Sequence, residues 1–536
     1  MKAKFVFSLT ILTLFSLFTK LCGQEIKEVT QPLSEAATKG FIYDIKFDPA
    51  GTHITYKMKI KKKSDEVSYE EYSFDKDLKF IGSQQAQEPK SDKADYERTS
   101  YIAYVGGTTS FDVLSMKLKL FKVVQLMSWD KAHQYYEVKK TLSKETIKPK
   151  NDDGKVYLGY ASYNSSEEKN TDLFVLAKAD SKDKSESEMF YALLFNDKLE
   201  LKSMPLKLGG NYALVYVGQL KNDNIAMVFA PQKGAGDISQ YMHLQYDITG
   251  NEVFRTSFKS PASAMLITDM AENDGKVYFI GNSTKSEKAY DDVFSEYAPI
   301  FNPGVIEVGA NKVDFKWQKS AETKMENLHL LKFAGKDLVM ASTTPTNSFK
   351  EKFKTVKGDK GASVYKGKKF KVVRFYVSPD EEYFVAGQLT DWGANGKEFH
   401  DLICFHFDTK GKLRAQYGLG RTSDDKKSEI FEVPQNFFQA ENGILYWEVL
   451  DAKGVKGYAS FADAYAGVAT FYPQYFPRLV TINTKDAEMI SLKQLGDGNY
   501  FLNKRFPGHY SKEDHSITYI GQDLKYKTLW VGQVKL

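Results

Sequence analysis

Three side chains that could bind a metal ion lie close together in the segment FHDLICFHFD, residues 399–408. His400, Cys404 and His406 offer the nitrogen and sulfur ligands that zinc prefers. In a β-strand all three would lie on one face, because side chains alternate between the two faces. His400 and His406 would then be about 20 Å apart, which is too far for one tetrahedral site. We therefore expect Cys404 to be a small buried side chain and not a ligand.

A second group of possible ligands occurs in HYSKEDHS, residues 509–516. His509, Glu513, Asp514 and His515 have the right atoms for calcium or zinc, but their spacing matches no recognised metal-binding loop. A polar turn before the last strands explains the same residues. The sequence therefore predicts neither a metal nor a cofactor.

The sequence lacks the familiar motifs of nucleophilic and phosphate chemistry. No G-x-S-x-G nucleophile elbow occurs, since GYASY (159–163) and GYASF (457–461) place the serine one position away. GANGKE (393–398) lacks both the spacing of a phosphate-binding loop and the Ser or Thr that follows its Lys. The chain has 69 Asp and Glu residues, so a pair of carboxylates at the separation that glycosidases use stays an alternative, although no motif selects its members.

The first 23 residues have the pattern of a secretory signal peptide. Lys2 and Lys4 precede an apolar stretch at 5–18, which is shorter than the roughly 20 residues needed to cross a bilayer. We expect cleavage after Gly23. Lipidation of Cys22 is the alternative, although Leu21 is not the small residue that such sites require. The protein is then expected in the periplasm or outside the cell, as a monomer without a transmembrane segment.

Removing this segment changes the charge and the cysteine count. Three of the 74 basic residues lie in it, which leaves 71 against 69 acidic residues and a net charge of about +2. A surface of mixed sign and small net charge gives no electrostatic argument for nucleic acid as a partner. Only Cys404 remains, so no internal disulfide can form and an apolar core must stabilise the fold.

Short aromatic runs determine the fold class. Phe, Trp and Tyr make up 14% of the chain and alternate with other residues in runs such as YIAYV (101–105), NYALVYVG (211–218) and ILYWEVL (444–450). Such runs of aromatic and β-branched residues are typical of strands. Amphipathic helices are almost absent after residue 23, so the sequence predicts an all-β protein.

A recurring phrase indicates a repeat. An apolar strand ends in Asp or Asn, a polar turn follows and a strand resumes, as in YSFDKDLKF (72–80), YALLFNDKLEL (191–201), LQYDITGNEVF (244–254) and FHFDTKGKLRA (405–415). Each phrase indicates a hairpin. A sheet unit about every 50–65 residues predicts, after a leader at 24–40, a single β-propeller over 41–536 with about seven four-stranded blades, six or eight being alternatives. We expect the N- and C-terminal strands to pair and close the ring.

A second phrase occurs twice, about 330 residues apart. FDPAGTHITYK (47–57) and VSPDEEYFVAG (377–387) each place a Pro beside Asp or Ser between two apolar strands. Pro49 and Pro379 pre-set φ for a turn, and Asp48 or Ser378 can accept hydrogen bonds from its amides. These turns resemble the S-P-D-G turn of TolB-like and WD-repeat-like propellers, where it links consecutive strands of one blade. The chain thus resembles divergent exported propeller proteins of Gram-negative bacteria, and the resemblance implies no particular activity.

Three stretches interrupt the period, at 286–304, 343–369 and 453–477. The lysine-rich stretch at 343–369 is expected to be an inserted loop or a degenerate extra blade. The stretch at 453–477 either projects an aromatic surface that binds a partner or folds as a short Ala-rich helix over the ring. Its candidate binding residues are Tyr458, Phe461, Tyr465, Phe471, Tyr472, Tyr475 and Phe476.

These features predict a binding or scaffold protein rather than an enzyme. A rigid propeller would present loops to a protein or glycan partner in the cell envelope. The alternative is a carbohydrate-active or other hydrolase with carboxylates in the central funnel of the propeller. A compact cluster of two or three carboxylates at the mouth of that funnel, at least one of them with a raised pKa, would favour the alternative.

Overall fold

The computed structural model describes residues 26–58, 65–89, 96–106, 117–127, 129–130, 135–136, 143–147, 155–163, 173–180, 189–195, 201–234, 236–247, 249–294, 305–308, 325–356, 359, 361–367, 369–393, 396–422, 427–457, 470–502 and 508–536. Within these ranges the chain forms 36 strands and two short α-helices. The prediction of an all-β protein built from four-stranded antiparallel sheets is confirmed.

The sheets are numbered along the chain. The first strand, β1 (Ile26–Pro32), belongs to the last sheet, and helix α1 (Glu35–Thr38) follows it. Sheet 1 consists of β2 (Phe41–Asp48), β3 (Gly51–Lys57), β4 (Glu66–Asp75) and β5 (Phe80–Pro89). Sheet 2 contains β6 (Tyr96–Gly106), β7 (Lys117–Met127) and β10 (Ser143–Ile147), with the separate pair β8 (Trp129–Asp130) and β9 (Tyr135–Tyr136) between the last two in sequence.

Sheets 3 to 5 follow. Sheet 3 consists of β11 (Lys155–Tyr163), β12 (Leu173–Asp180), β13 (Met189–Phe195) and β14 (Leu201–Leu206). Sheet 4 consists of β15 (Tyr212–Gln219), β16 (Ile225–Pro231), β17 (Gln240–Tyr246) and β18 (Glu252–Lys259). Sheet 5 consists of β19 (Met265–Asn273), β20 (Lys276–Ser283), β22 (Asn327–Ala334) and β23 (Asp337–Pro345), with helix α2 (Tyr290–Phe294) and strand β21 (Val305–Val308) between β20 and β22 in sequence.

The last three sheets complete the described chain. Sheet 6 consists of β24 (Phe353–Lys354), β25 (Phe370–Val377), β26 (Tyr383–Gly393), β27 (Gly396–Phe407) and β28 (Leu413–Leu419). Sheet 7 consists of β29 (Gln435–Gln439), β30 (Ile444–Gly457), β31 (Thr470–Asn483) and β32 (Glu488–Gln494). Sheet 8 consists of β33 (Tyr500–Leu502), β34 (His509–Ser511), β35 (Ser516–Asp523), β36 (Thr528–Lys535) and β1. Short 3-10 helices occupy Thr346–Lys352, Glu441–Gly443 and Leu495–Gly498.

Most sheets keep the order of the chain, and three recruit a strand from elsewhere. In sheet 8, β1 pairs antiparallel with β36, with Ile26 opposite Val534. In sheet 2, β21 pairs with β6, although its neighbours in sequence belong to sheet 5. In sheet 6, β24 lies parallel to β28, so part of the 343–369 stretch forms a fifth strand of this sheet. In this way, segments distant in sequence are tied to a sheet by backbone hydrogen bonds.

Apolar clusters join successive sheets. Between sheets 4 and 5, Val228 and Phe279 are fully buried in one cluster, and similar clusters lie between sheets 3 and 4, 5 and 6, 6 and 7, 7 and 8, and 8 and 1. Because both faces of the central strands are covered, these strands read as nearly continuous apolar sequence. Each fully buried large side chain contributes about 1.5–3 kcal/mol of transfer free energy, so these interfaces supply most of the stability.

The recurring phrase joins the third and fourth strands of a sheet. The four quoted copies are the β4–β5, β13–β14, β17–β18 and β27–β28 hairpins, as predicted. Asp408 shows why Asp ends the strand: its Oδ1 accepts hydrogen bonds from the backbone N–H of Lys410 at 3.0 Å and of Lys412 at 2.8 Å. The carboxylate thereby satisfies turn amides that have no strand partner.

The proline phrases are turns between consecutive strands, also as predicted. Asp48 Oδ1 accepts from the backbone N–H of Ala50 at 2.7 Å and of Gly51 at 3.1 Å, between β2 and β3. Ser378 Oγ accepts from the N–H of Glu382 at 3.0 Å, between β25 and β26. A side chain at Gly51 would not fit, because a Cβ there would lie 1.9 Å from the carbonyl oxygen of Phe74.

The second of these turns also ties sheet 6 to sheet 5. Glu381, at φ 61° in the turn, contacts the Nζ atoms of Lys276 and Lys332 on sheet 5, each at 2.5 Å, and accepts from Tyr278 Oη at 3.1 Å. The hydrogen bonds from Lys276 and Lys332 lower the pKa of Glu381 to about 2. The carboxylate is thus ionised at neutral pH, and its ion pairs link sheet 6 to sheet 5.

No helix in the described part of the chain is both long enough and apolar enough to span a bilayer.

We predict that Glu381→Gln lowers the free energy of unfolding by about 1 kcal/mol at pH 7, the upper end for a partly exposed ion pair. The folded pKa lies below the unfolded one, so this contribution is present above about pH 4.5 and is lost as pH falls through about 2. Urea unfolding at pH 7 and pH 3 would measure it. Glu488→Gln, which removes a 3.5 Å contact with Lys354 at an exposed site, is the matched control. An equal loss in both variants would contradict the prediction.

Candidate functional site

The aromatic stretch at 453–477 extends a hairpin. β30 and β31 pair in register from Ile444 opposite Asn483 to Gly457 opposite Thr470. The neighbouring strands β29 and β32 pair only with residues 445–449 and 478–483 of this hairpin. Residues 451–457 and 470–477 therefore continue the two strands beyond the rest of sheet 7, and they are not helical.

The predicted binding residues fall into three groups. Phe476 is buried, and Tyr475 is half-buried against the clusters on both sides of sheet 7. Phe471 and Tyr472 belong to β31. Tyr458, Phe461 and Tyr465 lie outside the described residues. A binding role for these seven residues stays a prediction.

A buried ion cluster holds the base of this extended hairpin. The side chain of Asp451 is 2% exposed and lies 3.3 Å from Arg421 Nε and 3.1 Å from Arg478 Nη1. It also accepts hydrogen bonds from the N–H and Oγ1 of Thr422, at 2.9 and 2.6 Å. Burial alone would raise the pKa of Asp451, but the two guanidinium groups outweigh it and the pKa is lowered. The carboxylate is therefore charged inside the protein.

The histidines and the cysteine singled out in the sequence do not converge. Cys404 is fully buried, as expected, and burial raises the pKa of its thiol well above the usual range. His406 is buried against Tyr417 Oη at 2.9 Å, whereas His400 lies 3.7 Å from Glu429. Among the described residues, no three His, Cys, Asp or Glu side chains are grouped so that they could hold a metal ion.

The HYSKEDHS segment forms the expected polar turn. Ser511 Oγ donates to Asp514 Oδ2 at 3.0 Å and accepts from the N–H of Asp514 at 3.2 Å. His509 at the start of the segment instead stacks on Phe47 of sheet 1, with ring centroids 3.9 Å apart and planes 9° from parallel.

This stacked pair and the Phe438–Tyr510 pair lie on opposite faces of β34, since His509 and Tyr510 are adjacent on that strand. Together with Tyr376 of sheet 6, these rings are called the aromatic cluster, to which sheets 1, 6, 7 and 8 each contribute. The rings of Phe438 and Tyr510 lie 5.4 Å apart. Burial and the nearby Tyr510 raise the pKa of Tyr376 to about 12. Phe47 is 36% exposed and Tyr510 38%, so the cluster offers aromatic surface to solvent. All five residues lie on β2, β25, β29 or β34.

A buried carboxyl group lies next to this cluster. Glu448 on β30 is 4% exposed; its Oε1 accepts from Tyr519 Oη at 2.5 Å and its Oε2 from Asn436 Nδ2 at 2.9 Å. Burial raises the pKa of Glu448, and the two hydrogen bonds oppose this only in part. Asn436 and Phe438 share a face of β29, two residues or roughly 7 Å apart, which brings Glu448 close to the aromatic cluster. The arrangement can supply a proton beside an aromatic surface.

Sequence reasoning missed Glu448, although a signal was present. The residue is the lone carboxylate of the run ILYWEVL at 444–450. Strand alternation places it on the same face as Tyr446 and Leu450, which pack in the core between sheets 7 and 8. A charged residue at a core position of a strand indicates either a buried ion pair or a carboxyl group with a raised pKa.

No protein-family model matches the chain, and no curated protein matches it either. Solved structures that it resembles include an apocarotenoid oxygenase of Synechocystis, with 8% identity over 88% of this chain and 94% of that one, at a TM-score of 0.27. A lignostilbene dioxygenase of Pseudomonas brassicacearum has 10% identity over 82% of this chain and 89% of its own chain, at a TM-score of 0.34. A GH43_1 enzyme of Xanthomonas citri, whose structure was solved with xylose, has 8% identity over 63% of this chain and 91% of its own chain, at a TM-score of 0.24.

These comparisons correct the expected function. The sequence led us to expect a binding or scaffold protein and not an enzyme, whereas these structural neighbours are enzymes. The prediction of a scaffold is therefore wrong.

We predict that Asp451→Ala lowers the free energy of unfolding by about 3–5 kcal/mol, because it leaves two buried guanidinium groups without their counter-charge. Chemical unfolding would measure the loss. Asp486→Ala, which removes an exposed carboxylate that binds Asn483 Nδ2 at 2.6 Å in the turn after β31, is the control, and we expect a change below about 1 kcal/mol. A similar loss in both variants would show that Asp451 is not the anchor.

We predict that Glu448→Gln becomes more stable relative to the natural protein as pH rises. The folded pKa of Glu448 is raised, so its contribution is complete below the unfolded pKa near 4.5 and is lost as pH rises through the folded value. Unfolding free energies at pH 5 and pH 8 would test this. Glu448→Ala should cost about 1–3 kcal/mol at pH 5, because the Tyr519 hydroxyl loses its acceptor. A pH-independent difference between the Gln variant and the natural protein would refute the raised pKa.

Proposed function

We propose that the protein is a hydrolase of carbohydrate substrates, in which Glu448 donates a proton to the leaving group. The observation that carries this proposal is the buried, hydrogen-bonded carboxyl group of Glu448 beside a partly exposed aromatic cluster. A carboxyl group with a raised pKa keeps its proton at a pH at which ordinary carboxyl groups have lost it. This is the property that general acids in glycosidases require.

The proton transfer follows from the chemistry of the glycosidic bond. An alkoxide is a poor leaving group, so cleavage of the bond between the anomeric carbon and the bridging oxygen needs a proton on that oxygen. Glu448 gives up this proton to the bridging oxygen as the bond breaks and becomes a carboxylate, while a water molecule adds to the anomeric carbon and releases one proton to solvent. The hydrogen bonds from Tyr519 and Asn436 then stabilise the new charge, since both donate to the carboxylate oxygens.

The aromatic cluster suits a sugar. A pyranose ring has apolar C–H faces and a polar rim, and an exposed aromatic ring can pack against such a face. Phe47 and Tyr510 expose such surface, and His509 is held parallel to Phe47. On the Tyr510 side, a bound sugar would pack beside Phe438, which shares a face of β29 with Asn436, the hydrogen-bond partner of Glu448.

We further propose that the sheets form one ring of eight blades, closed where β1 pairs with β36. The apolar clusters between successive sheets support it, as do contacts of β11 with β21 and of β15 with β19. Eight lies within the range expected from the sequence. In this ring, β2, β25, β29 and β34 are the innermost strands, so the aromatic cluster would line the central funnel. Export through the segment at 1–23, and membership of the TolB-like propellers of Gram-negative bacteria, stay predictions.

The decisive experiment compares leaving groups. We expect the natural protein to hydrolyse a member of a panel of oligosaccharides, and Glu448→Gln to lower kcat on it by about 100- to 10,000-fold. On the matching 2,4-dinitrophenyl glycoside, whose leaving group needs no proton, the same variant should lower kcat by less than tenfold.

Glu488→Gln, on the outer strand of sheet 7, is the control and should leave both rates unchanged. Absence of hydrolysis by the natural protein across the panel would overturn the proposed function. An equal loss on both kinds of substrate would overturn the role of Glu448.

A further inference from the structure

A cavity of about 310 Å³ opens between sheets 4 and 5, away from Glu448. Its wall combines the turns after β15, β19 and β22 with the end of β17 and the start of β18. The wall residues that carry a charge, a side-chain amide or an aromatic ring include Lys221, Gln245, Phe254, Glu272 and Asp274. A volume of this size is at the lower end of those that hold small molecules.

Gln245 is the polar group that distinguishes this cavity from a gap between turns. It lines the cavity and is 6% exposed, and its side-chain amide has no hydrogen-bond partner among the described residues. Neither amide atom of Gln245 is among the fully buried polar atoms without a partner in the described chain, so the amide faces the cavity and not the core. Its two donors and one acceptor are therefore available to a bound molecule.

Glu272 and Phe254 are two further residues of the cavity wall that a ligand could contact. Glu272 Oε2 accepts from the backbone N–H of Lys221 at 2.5 Å, which fixes the carboxylate and leaves its second oxygen without a partner in the described chain. The Phe254 ring forms an apolar part of the wall, and His243 packs on it edge to face, with centroids 5.0 Å apart at 89°. The ring is held in place by this packing.

We propose that this cavity binds a neutral, hydroxyl-rich ligand of monosaccharide size. Adjacent hydroxyl groups both donate and accept, so they satisfy an amide and a carboxylate oxygen together. The C–H face of a sugar ring can pack on Phe254. Lys221, Glu272 and Asp274 give the rim a net charge of about −1, which disfavours anionic ligands. The site is separate from Glu448 and does not depend on the proposed hydrolysis.

Isothermal titration of the full protein with D-glucose, D-galactose, D-mannose and D-xylose tests the proposal. We expect at least one sugar to bind, and Gln245→Leu to weaken its binding at least tenfold. Gln240→Leu, in the same strand at the opposite end, should bind as the natural protein does. Glu448→Gln should also bind normally, which separates this site from the proposed active site.

Glu272→Gln provides a second test that does not remove the buried amide. This substitution keeps the size of the side chain and should weaken the binding of the same sugar. The proposal therefore remains testable if Gln245→Leu does not fold. Thermal unfolding would establish that each variant is folded. No binding of any of the four sugars, or binding that neither substitution weakens, would show that the cavity holds only water.

Discussion

Burial of both faces of the central strands is the constraint on which the rest of the structure depends. Strands such as β16 are buried at every position, because one face packs on the preceding sheet and the other on the following sheet. A polar side chain that enters such an interface loses water on all sides. Such a side chain must therefore form a hydrogen bond or ion pair, become neutral, or line a cavity that water or a ligand can occupy.

Three residues show these three outcomes. Asp451 keeps its charge because two arginines surround it. Glu448 has only neutral donors, Tyr519 and Asn436, and burial raises its pKa. Gln245 has no partner and lines a cavity. The same burial thus leads to a charged anchor, a carboxyl group with a raised pKa and an amide that lines a cavity, and the difference lies in the neighbours that the adjoining sheet provides.

The site also depends on the way the sheets meet. The aromatic cluster draws on four sheets, and its members are separated by up to 463 positions in sequence, from Phe47 to Tyr510. No single sheet could offer this surface, since each contributes only one or two rings. The turns serve a similar purpose at the other interface, where Glu381 in a turn of sheet 6 joins two lysines of sheet 5. Packing between the sheets therefore fixes the relative positions of these side chains.

Local patterns in the sequence were enough to determine the strands, the hairpins that end in Asp, the two proline turns and the buried state of Cys404. Each depends on alternation or on hydrogen bonds within a few residues, as in the bonds from Lys410 and Lys412 to Asp408. Only the tertiary structure decided which residues meet across the sheets. The ionised state of Asp451 depends on Arg421 and Arg478, about 30 positions away on either side, and the raised pKa of Glu448 results from burial against the next sheet, which the hydrogen bond from Tyr519 offsets only in part. A pKa is set by neighbours in space, and in this fold those neighbours lie on other strands or on the next sheet, so sequence spacing alone could not reveal them.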